Sequence, residues 1–98
     1  TRYRHLSTVE ITKGSINESL AYPRDIFRPV IGRSAYAFVL AHNHPSGDPA
    51  PSEADIRLTR RLGEGARILQ INMVDHVIVG QSFDDRPGYF SFKEAGMI

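Results

Sequence analysis

The sequence predicts a single α/β domain in which helices pack on a central mixed β-sheet. Short β-prone runs alternate with helical patterns, in the order strand, helix, strand, helix, strand. The 98 residues are enough for one small domain, and no repeat or linker divides them. With 41% hydrophobic and 23% charged residues, the composition is that of a folded globular protein. We expect residues 1–98 to be one domain and, from its start at Thr1 rather than Met, a C-terminal fragment of a longer protein.

Charge and composition argue against several classes of protein. The net charge of +1 gives no reason to expect binding to nucleic acid or to a membrane surface. The longest apolar run, residues 35–41, is far too short to span a bilayer, and no signal segment opens the chain. Without cysteine, any metal must be held by His, Asp or Glu. The lack of cysteine is compatible with the cytoplasm, where we expect the protein to reside.

The first elements are two extended segments and a helix. Residues 3–13 favour a strand that Gly14 ends, and residues 16–20 favour a second short extended piece. Pro23 suits the first turn of a helix, which Pro29 should kink or shorten. The apolar face of this helix has helical spacing and consists of Ile26, Phe27, Val30 and Ile31.

The next strand is predicted to be central. Residues 35–41 form a continuous apolar run, so both faces of the strand are apolar, which predicts burial on both faces. His42 shares one face with Leu40, and His44 joins that face if the extended geometry persists.

A loop and a long helix follow this strand. Residues 43–51 contain three prolines and a glycine and therefore form a loop. Ser52 is a good N-cap for a helix that runs to about Gln70. The core-facing stripe of this helix is Leu58, Leu62, Ala66 and Leu69. One turn back from Leu58, the same stripe begins at Asp55, which points toward the strand that carries His42.

A hairpin ends the chain. Residues 73–79 are strongly β-prone and stop at Gly80, and residues 82–88 are rich in turn-forming residues. Residues 89–92 are a short last strand that we expect to pair with residues 73–79.

Three of these residues form a candidate metal site. His42 and His44 end the central strand, and Asp55 follows eleven residues after the second histidine. Two neutral imidazoles and a carboxylate suit Zn²⁺, and three protein ligands leave a fourth position for water, as in catalytic sites. The metal would lower the pKa of that water toward about 7.

Each residue also has a simpler interpretation. His42 could only end a strand, and His44 could only bond to the loop backbone. Ser52 and Asp55 match a capping box, which needs no metal. The combination favours the metal site, and Ser52 could both cap the helix and present its hydroxyl to the site.

A hydrolytic site also requires a general base. The candidates are Glu10 on the first predicted strand and Glu18 in a turn-prone stretch, and position favours Glu10. His76 lies among apolar residues and is expected to be a satisfied core or edge histidine rather than a fourth ligand.

The motif His42-x-His44-Pro45, followed by Ser52-x-x-Asp55, resembles the JAMM signature of the JAB/MPN metalloprotease superfamily. The fuller string over residues 42–55 resembles the bacterial RadC family more narrowly. The resemblance extends to five further segments: residues 10–15, 22–27, 59–62, 75–80 and 89–92.

This resemblance implies a cytidine-deaminase-like JAB/MPN fold with Zn²⁺ held by His42, His44 and Asp55. It also implies that Glu10 activates the bound water and that Ser52 helps hold an oxyanion. The implied reaction is hydrolysis of a peptide or isopeptide bond, with an unknown protein or peptide as the substrate.

Two other functions compete with this one. The domain could keep its metal for stability and act as a protein-interaction module in DNA repair or replication stress, without turnover and with at most an indirect link to DNA. A nuclease or deaminase is less favoured, because the cysteine ligands typical of zinc deaminases are absent. Nothing in the sequence specifies an oligomeric state.

Overall fold

The computed structural model describes residues 8–9 and 22–98. These contain two helices and three strands: α1 (Pro23–Gly32), β1 (Ala37–Asn43), α2 (Glu53–Leu69), β2 (Asn72–Val79) and β3 (Tyr89–Ser91). The predicted extended segments at residues 3–13 and 16–20 lie outside the described residues, together with Glu10 and Glu18.

The three described strands form one mixed sheet in the order β1-β2-β3. β1 runs parallel to β2, so the connection between them must cross over, and α2 makes that crossing. β2 and β3 pair antiparallel, with Val77 opposite Ser91 and Val79 opposite Tyr89. The predicted α/β architecture with a mixed sheet and flanking helices is confirmed, and so is the terminal hairpin.

A β-bulge in β2 changes which residues face the helices. Phe38 pairs with Met73, but the next residue, Val39, pairs with Asp75, so Val74 is an extra residue. In a regular strand, residues three apart face opposite sides. The bulge therefore lets Met73 and His76 both be buried.

The hydrophobic core lies between the sheet and the two helices. It consists of Ile26, Phe27, Leu40, Leu58, Leu62, Ala66 and Met73, with Phe38 and Ile71 packed against it. Members from both helices belong to this one cluster, so α1 and α2 lie on the same side of the sheet.

This one-sided packing corrects the prediction for β1. Leu40 and His42 are buried, but Val39 is 55% exposed and Ala41 is also exposed. A continuous apolar run predicted burial on both faces. In the described part of the chain, both helices cover only one face.

Helix α2 begins and ends where the sequence predicts. Ser52 is its N-cap, and Gln70 ends it in a left-handed conformation with a φ of 59°. Leu58, Leu62 and Ala66 are buried as predicted, but the prediction was wrong for Leu69, which is 45% exposed. Leu69 is the last helical residue, and burial along the helix ends at Ala66.

Helix α1 has ten residues and includes Pro29, in agreement with the predicted short helix. It buries only Ile26 and Phe27 of its predicted apolar face. Phe27 meets Phe38 edge to face, with ring centroids 5.6 Å apart. Within the described residues, neither helix is long and apolar enough to cross a membrane.

Candidate metal centre

The end of β1 and the start of α2 bring three potential ligands together. His42 is the sixth residue of β1, His44 follows the strand directly, and Asp55 lies in the first turn of α2. One potential ligand atom from each of these residues lies within 4.8 Å of the other two. His42 and Asp55 are buried and His44 is partly buried. The predicted convergence on one point is therefore present.

Capping of α2 fixes the direction of the Asp55 side chain. The Asp55 backbone N–H donates to Ser52 Oγ at 3.1 Å, and the Ser52 N–H donates to Asp55 Oδ2 at 2.8 Å. This reciprocal capping box turns the carboxylate back over the first turn of the helix. One carboxylate oxygen is then held by the backbone, and Oδ1 faces His42.

The loop that carries His44 is anchored to the end of β2. The His44 N–H donates to the Val79 carbonyl at 3.0 Å, and the Gln81 N–H donates to the Gly47 carbonyl at 2.7 Å. A Cβ on Gly80 would collide with the Gly47 carbonyl oxygen and lie 2.9 Å from Pro49. Only glycine lets the loop pack this closely, so Gly80 helps to place His44.

Two buried polar atoms at the centre find no hydrogen-bond partner in the described part of the chain. They are His42 Nε2 and Asp55 Oδ1, which lie 3.2 Å apart. An unsatisfied buried polar atom costs about 1–3 kcal/mol and is rare in native proteins. A cation that accepts a lone pair from each atom would satisfy both.

His44 presents the same kind of atom to the centre. Its Nδ1 lies 2.8 Å from the Asp48 carbonyl oxygen, which can only accept, so Nδ1 carries the hydrogen. In a neutral ring the Nε2 lone pair then faces Asp55 Oδ2 at 3.1 Å. Two acceptors this close require a positive charge between them or on the ring. The donor set of two imidazole nitrogens and a carboxylate fits a cation such as Zn²⁺.

The surroundings of His42 and Asp55 favour the protonation states that bind a metal, a neutral imidazole and a charged carboxylate. Burial is the main influence on His42 and lowers its pKa below 6.5, so the ring is neutral at pH 7. Burial raises the pKa of Asp55, but hydrogen bonds from Ser52 and the nearby histidines outweigh it and leave the pKa below its usual value. Asp55 is therefore a carboxylate at neutral pH.

His76 is a buried core histidine, as predicted, and it contacts a candidate ligand. Its Nε2 lies 3.0 Å from His42 Nδ1, and its Nδ1 lies 2.6 Å from Thr59 Oγ1. The ring stacks on Phe92, with centroids 4.6 Å apart and planes 9° apart. Burial, followed by the charge of His42, lowers the pKa of His76 to about 4.

Sequence reasoning missed Thr59 and the contact between His76 and His42. Thr59 lies four residues after Asp55 on the same face of α2, a spacing that could have suggested it. The bulge at Val74, which brings His76 to the inner face, has no such signal.

Of the two predicted catalytic residues, Ser52 is among the described residues and Glu10 is not. Ser52 is exposed beside Asp55, and its Oγ caps the helix. Its role toward an oxyanion stays a prediction. Glu10 and its competitor Glu18 lie outside the described residues, so the identity of the base also stays a prediction.

Comparison with known proteins identifies relatives over the whole length of the chain. A family model described as the RadC-like JAB domain matches residues 1–97. A UPF0758 protein of Trichlorobacter lovleyi is 47% identical over 90 residues, which cover 92% of this chain and 37% of the relative.

Two further relatives carry the same name and cover this chain completely. The UPF0758 protein of Desulfitobacterium hafniense strain DCB-2 is 48% identical over 98 residues, or 41% of its own length. That of Alkaliphilus metalliredigens is 43% identical over 98 residues, or 40% of its length. The chain thus spans about two fifths of the length of these relatives.

Proposed function

The chain belongs to the RadC-like JAB domain family, and from this membership we propose that it is a zinc-dependent hydrolase of the JAMM type. The substrate class is a peptide or isopeptide bond in a protein or peptide. One observation carries the proposal: the buried pair of His42 Nε2 and Asp55 Oδ1, which has no hydrogen-bond partner among the described residues, with His44 beside it. Among the described residues, neither atom has another hydrogen-bond partner, and a cation would satisfy both.

The three residues would hold the ion through the Nε2 atoms of His42 and His44 and the carboxylate of Asp55. Three ligands from the described residues would leave a fourth coordination position for water, which is the arrangement of catalytic rather than structural zinc sites. When bound, Zn²⁺ acts as a Lewis acid that activates water near neutral pH.

Two further residues complete the proposed reaction. Glu10 takes the proton from the attacking water and delivers it to the leaving amine, as a general base and then a general acid. Ser52 donates a hydrogen bond to the substrate carbonyl oxygen as negative charge develops there. The exposure of Ser52 next to Asp55 supports this role, because a substrate can reach its hydroxyl.

An open coordination position favours hydrolysis over a purely structural metal. A domain that only docks a partner would be served by a closed site with four protein ligands. A connection to DNA repair or replication stress belongs to the alternative, the protein-interaction module without turnover, and it requires no direct contact with DNA.

The proposal is tested first by metal content. We expect about one zinc per chain in the wild-type domain, and none in His44→Ala or Asp55→Ala. Glu53→Ala is the matched control, because Glu53 is an acidic residue in the same helical turn whose side chain is 91% exposed. Loss of zinc in this control, or no zinc in the wild type after reloading, would contradict the site.

The same samples are then assayed against a library of amide and isopeptide substrates. Glu10→Gln should abolish turnover and retain the zinc, whereas Glu18→Gln should retain both. A zinc-loaded wild type with no turnover on any substrate would replace the hydrolase by the protein-interaction module.

A further inference from the structure

Three consecutive hydrogen bonds link the His42 ring to the backbone carbonyl of Asp55. His42 Nδ1 contacts His76 Nε2 at 3.0 Å, and His76 Nδ1 contacts Thr59 Oγ1 at 2.6 Å. Thr59 Oγ1 donates to the Asp55 carbonyl at 2.9 Å. We refer to His76 and Thr59 together as the hydrogen-bond relay.

The last acceptor sets the direction of every bond in the relay. The Asp55 carbonyl can only accept, so the single hydrogen of the Thr59 hydroxyl points at it. The hydroxyl then offers only a lone pair to His76, whose Nδ1 must carry a hydrogen.

The same reasoning extends from His76 to the ligand. A neutral His76 with its hydrogen on Nδ1 has a lone pair on Nε2. His42 must therefore donate from Nδ1, which leaves no hydrogen on His42 Nε2. His42 Nε2 and Asp55 Oδ1, 3.2 Å apart, are then two lone-pair atoms that face each other.

The surroundings of His76 keep its ring neutral and in place. The residue is 0% exposed and lies flat against Phe92, which is also fully buried. A charged ring here would be a buried cation, which the desolvation cost disfavours. The backbone carbonyl of His76 also accepts the Phe92 N–H at 3.0 Å.

We propose that His76 and Thr59 are positioning residues that hold His42 in the one tautomer able to bind a metal through Nε2. This inference rests on the proposed zinc site. Metal-binding histidines usually donate their second N–H to a carboxylate, a backbone carbonyl or water. His44 follows that rule through the Asp48 carbonyl, whereas His42, deeper in the core, donates to a neutral His76, which in turn donates to Thr59.

The test starts with the metal-free protein, in which ¹⁵N NMR at neutral pH reports which ring nitrogen carries the hydrogen. We expect His42 and His76 of the wild type to be protonated on Nδ1 only. Thr59→Val keeps the side-chain shape but removes the hydroxyl, so His76 should move its hydrogen to Nε2 and His42 should do the same.

Metal affinity provides the second readout. Thr59→Val should weaken Zn²⁺ or Co²⁺ binding by about 10- to 100-fold in competition with a chelator, the range found for lost outer-shell partners. Thr59→Ser restores the hydroxyl and should return the affinity close to that of the wild type. Phe92→Leu is the structural control: it loosens the packing around His76 but leaves the relay intact.

A purely structural role predicts a different pattern. Thr59→Val and Phe92→Leu would then both lower stability. Neither would change the His42 tautomer, and neither would weaken metal binding more than the other. A wild-type His42 protonated on Nε2, or wild-type affinity in Thr59→Val, would overturn the proposal. A protein without turnover would overturn the hydrolase alone, because the tautomer is measured without metal or substrate.

Discussion

The geometry of Asp55 is compatible with both interpretations that its sequence motif allows, helix capping and metal binding. Its Oδ2 accepts the Ser52 N–H within the capping box, while its buried Oδ1 faces His42 and has no hydrogen-bond partner in residues 22–98. Each carboxylate oxygen has two lone pairs, so the capping bond to Oδ2 leaves lone pairs on both oxygens to face the two histidines. The capping box is what directs the ligand toward the centre.

Ser52 allows capping to be separated from metal binding. Ser52→Ala removes the acceptor of the Asp55 N–H and should lower the free energy of unfolding by about 1 kcal/mol. The Ser52 backbone N–H still holds the Asp55 carboxylate, so the zinc content should not change. Ser52→Thr should preserve both properties. Denaturant unfolding and elemental analysis measure them, and zinc loss in Ser52→Ala would show that the hydroxyl itself holds the site together.

The candidate site was predictable at the residue scale because its ligands follow regular periods. Strand alternation puts His42 on the face of Leu40, and helical periodicity puts Asp55 on the stripe of Leu58. The contact with His76 was not predictable in this way, because it depends on a bulge that breaks the strand period.

At the scale of elements, α2 shows which predictions periodicity can support. Its start follows a local signal, the N-cap residue Ser52, which acts independently of the packing around the helix. The burial of Leu69 depends on whether another element covers the last turn, which the sequence of the helix does not specify. The same reason explains the exposed Val39 on β1, because an apolar run does not say which faces of the sheet are covered.

Two glycines in α2 provide a matched test of how α1 packs. A Cβ on Gly63 would meet nothing within 4 Å, whereas a Cβ on Gly65 would lie 2.8 Å from the Phe27 ring. Gly63→Ala should stabilise the protein by about 0.5–1 kcal/mol, because alanine is the better helix former. Gly65→Ala should destabilise it by about 1–3 kcal/mol through overpacking. Urea unfolding compares the two, and equal effects would contradict the packing of Phe27 against α2.

At the scale of the whole molecule, the buried histidines make stability depend on pH. The pKa of His76 falls from 6.5 to about 4 on folding, and that of His42 also falls. Between these pH values the unfolded chain binds more protons than the folded protein. Stability therefore decreases as the pH is lowered through this range, by up to about 1.4 kcal/mol per pH unit for His76, and His42 contributes in the same direction.

We expect the chelator-treated protein to lose stability steadily from pH 6.5 to pH 4.5, measured as the urea midpoint at each pH. The carboxylates contribute in a lower window. The pKa of Asp75 is depressed: burial raises it, but bonds from Ser91, Lys93 and His76 outweigh this. Its stabilisation is present above the ordinary value of 3.8 and is lost only as the pH falls below it. A flat profile above pH 4.5 would mean that the histidines are not buried as described.

The bulge in β2 also determines where the domain can change in length. Met73 and His76 both face inward only because Val74 is an extra residue between them. Deletion of Val74 would leave Met73 and His76 two positions apart, which is the regular spacing for one face of a strand. Both residues would therefore still face inward. Deletion of Val77 would instead place His76 and Ile78 next to each other and turn one of them outward. Of these two deletions, only the one at the bulge keeps the same residues facing inward.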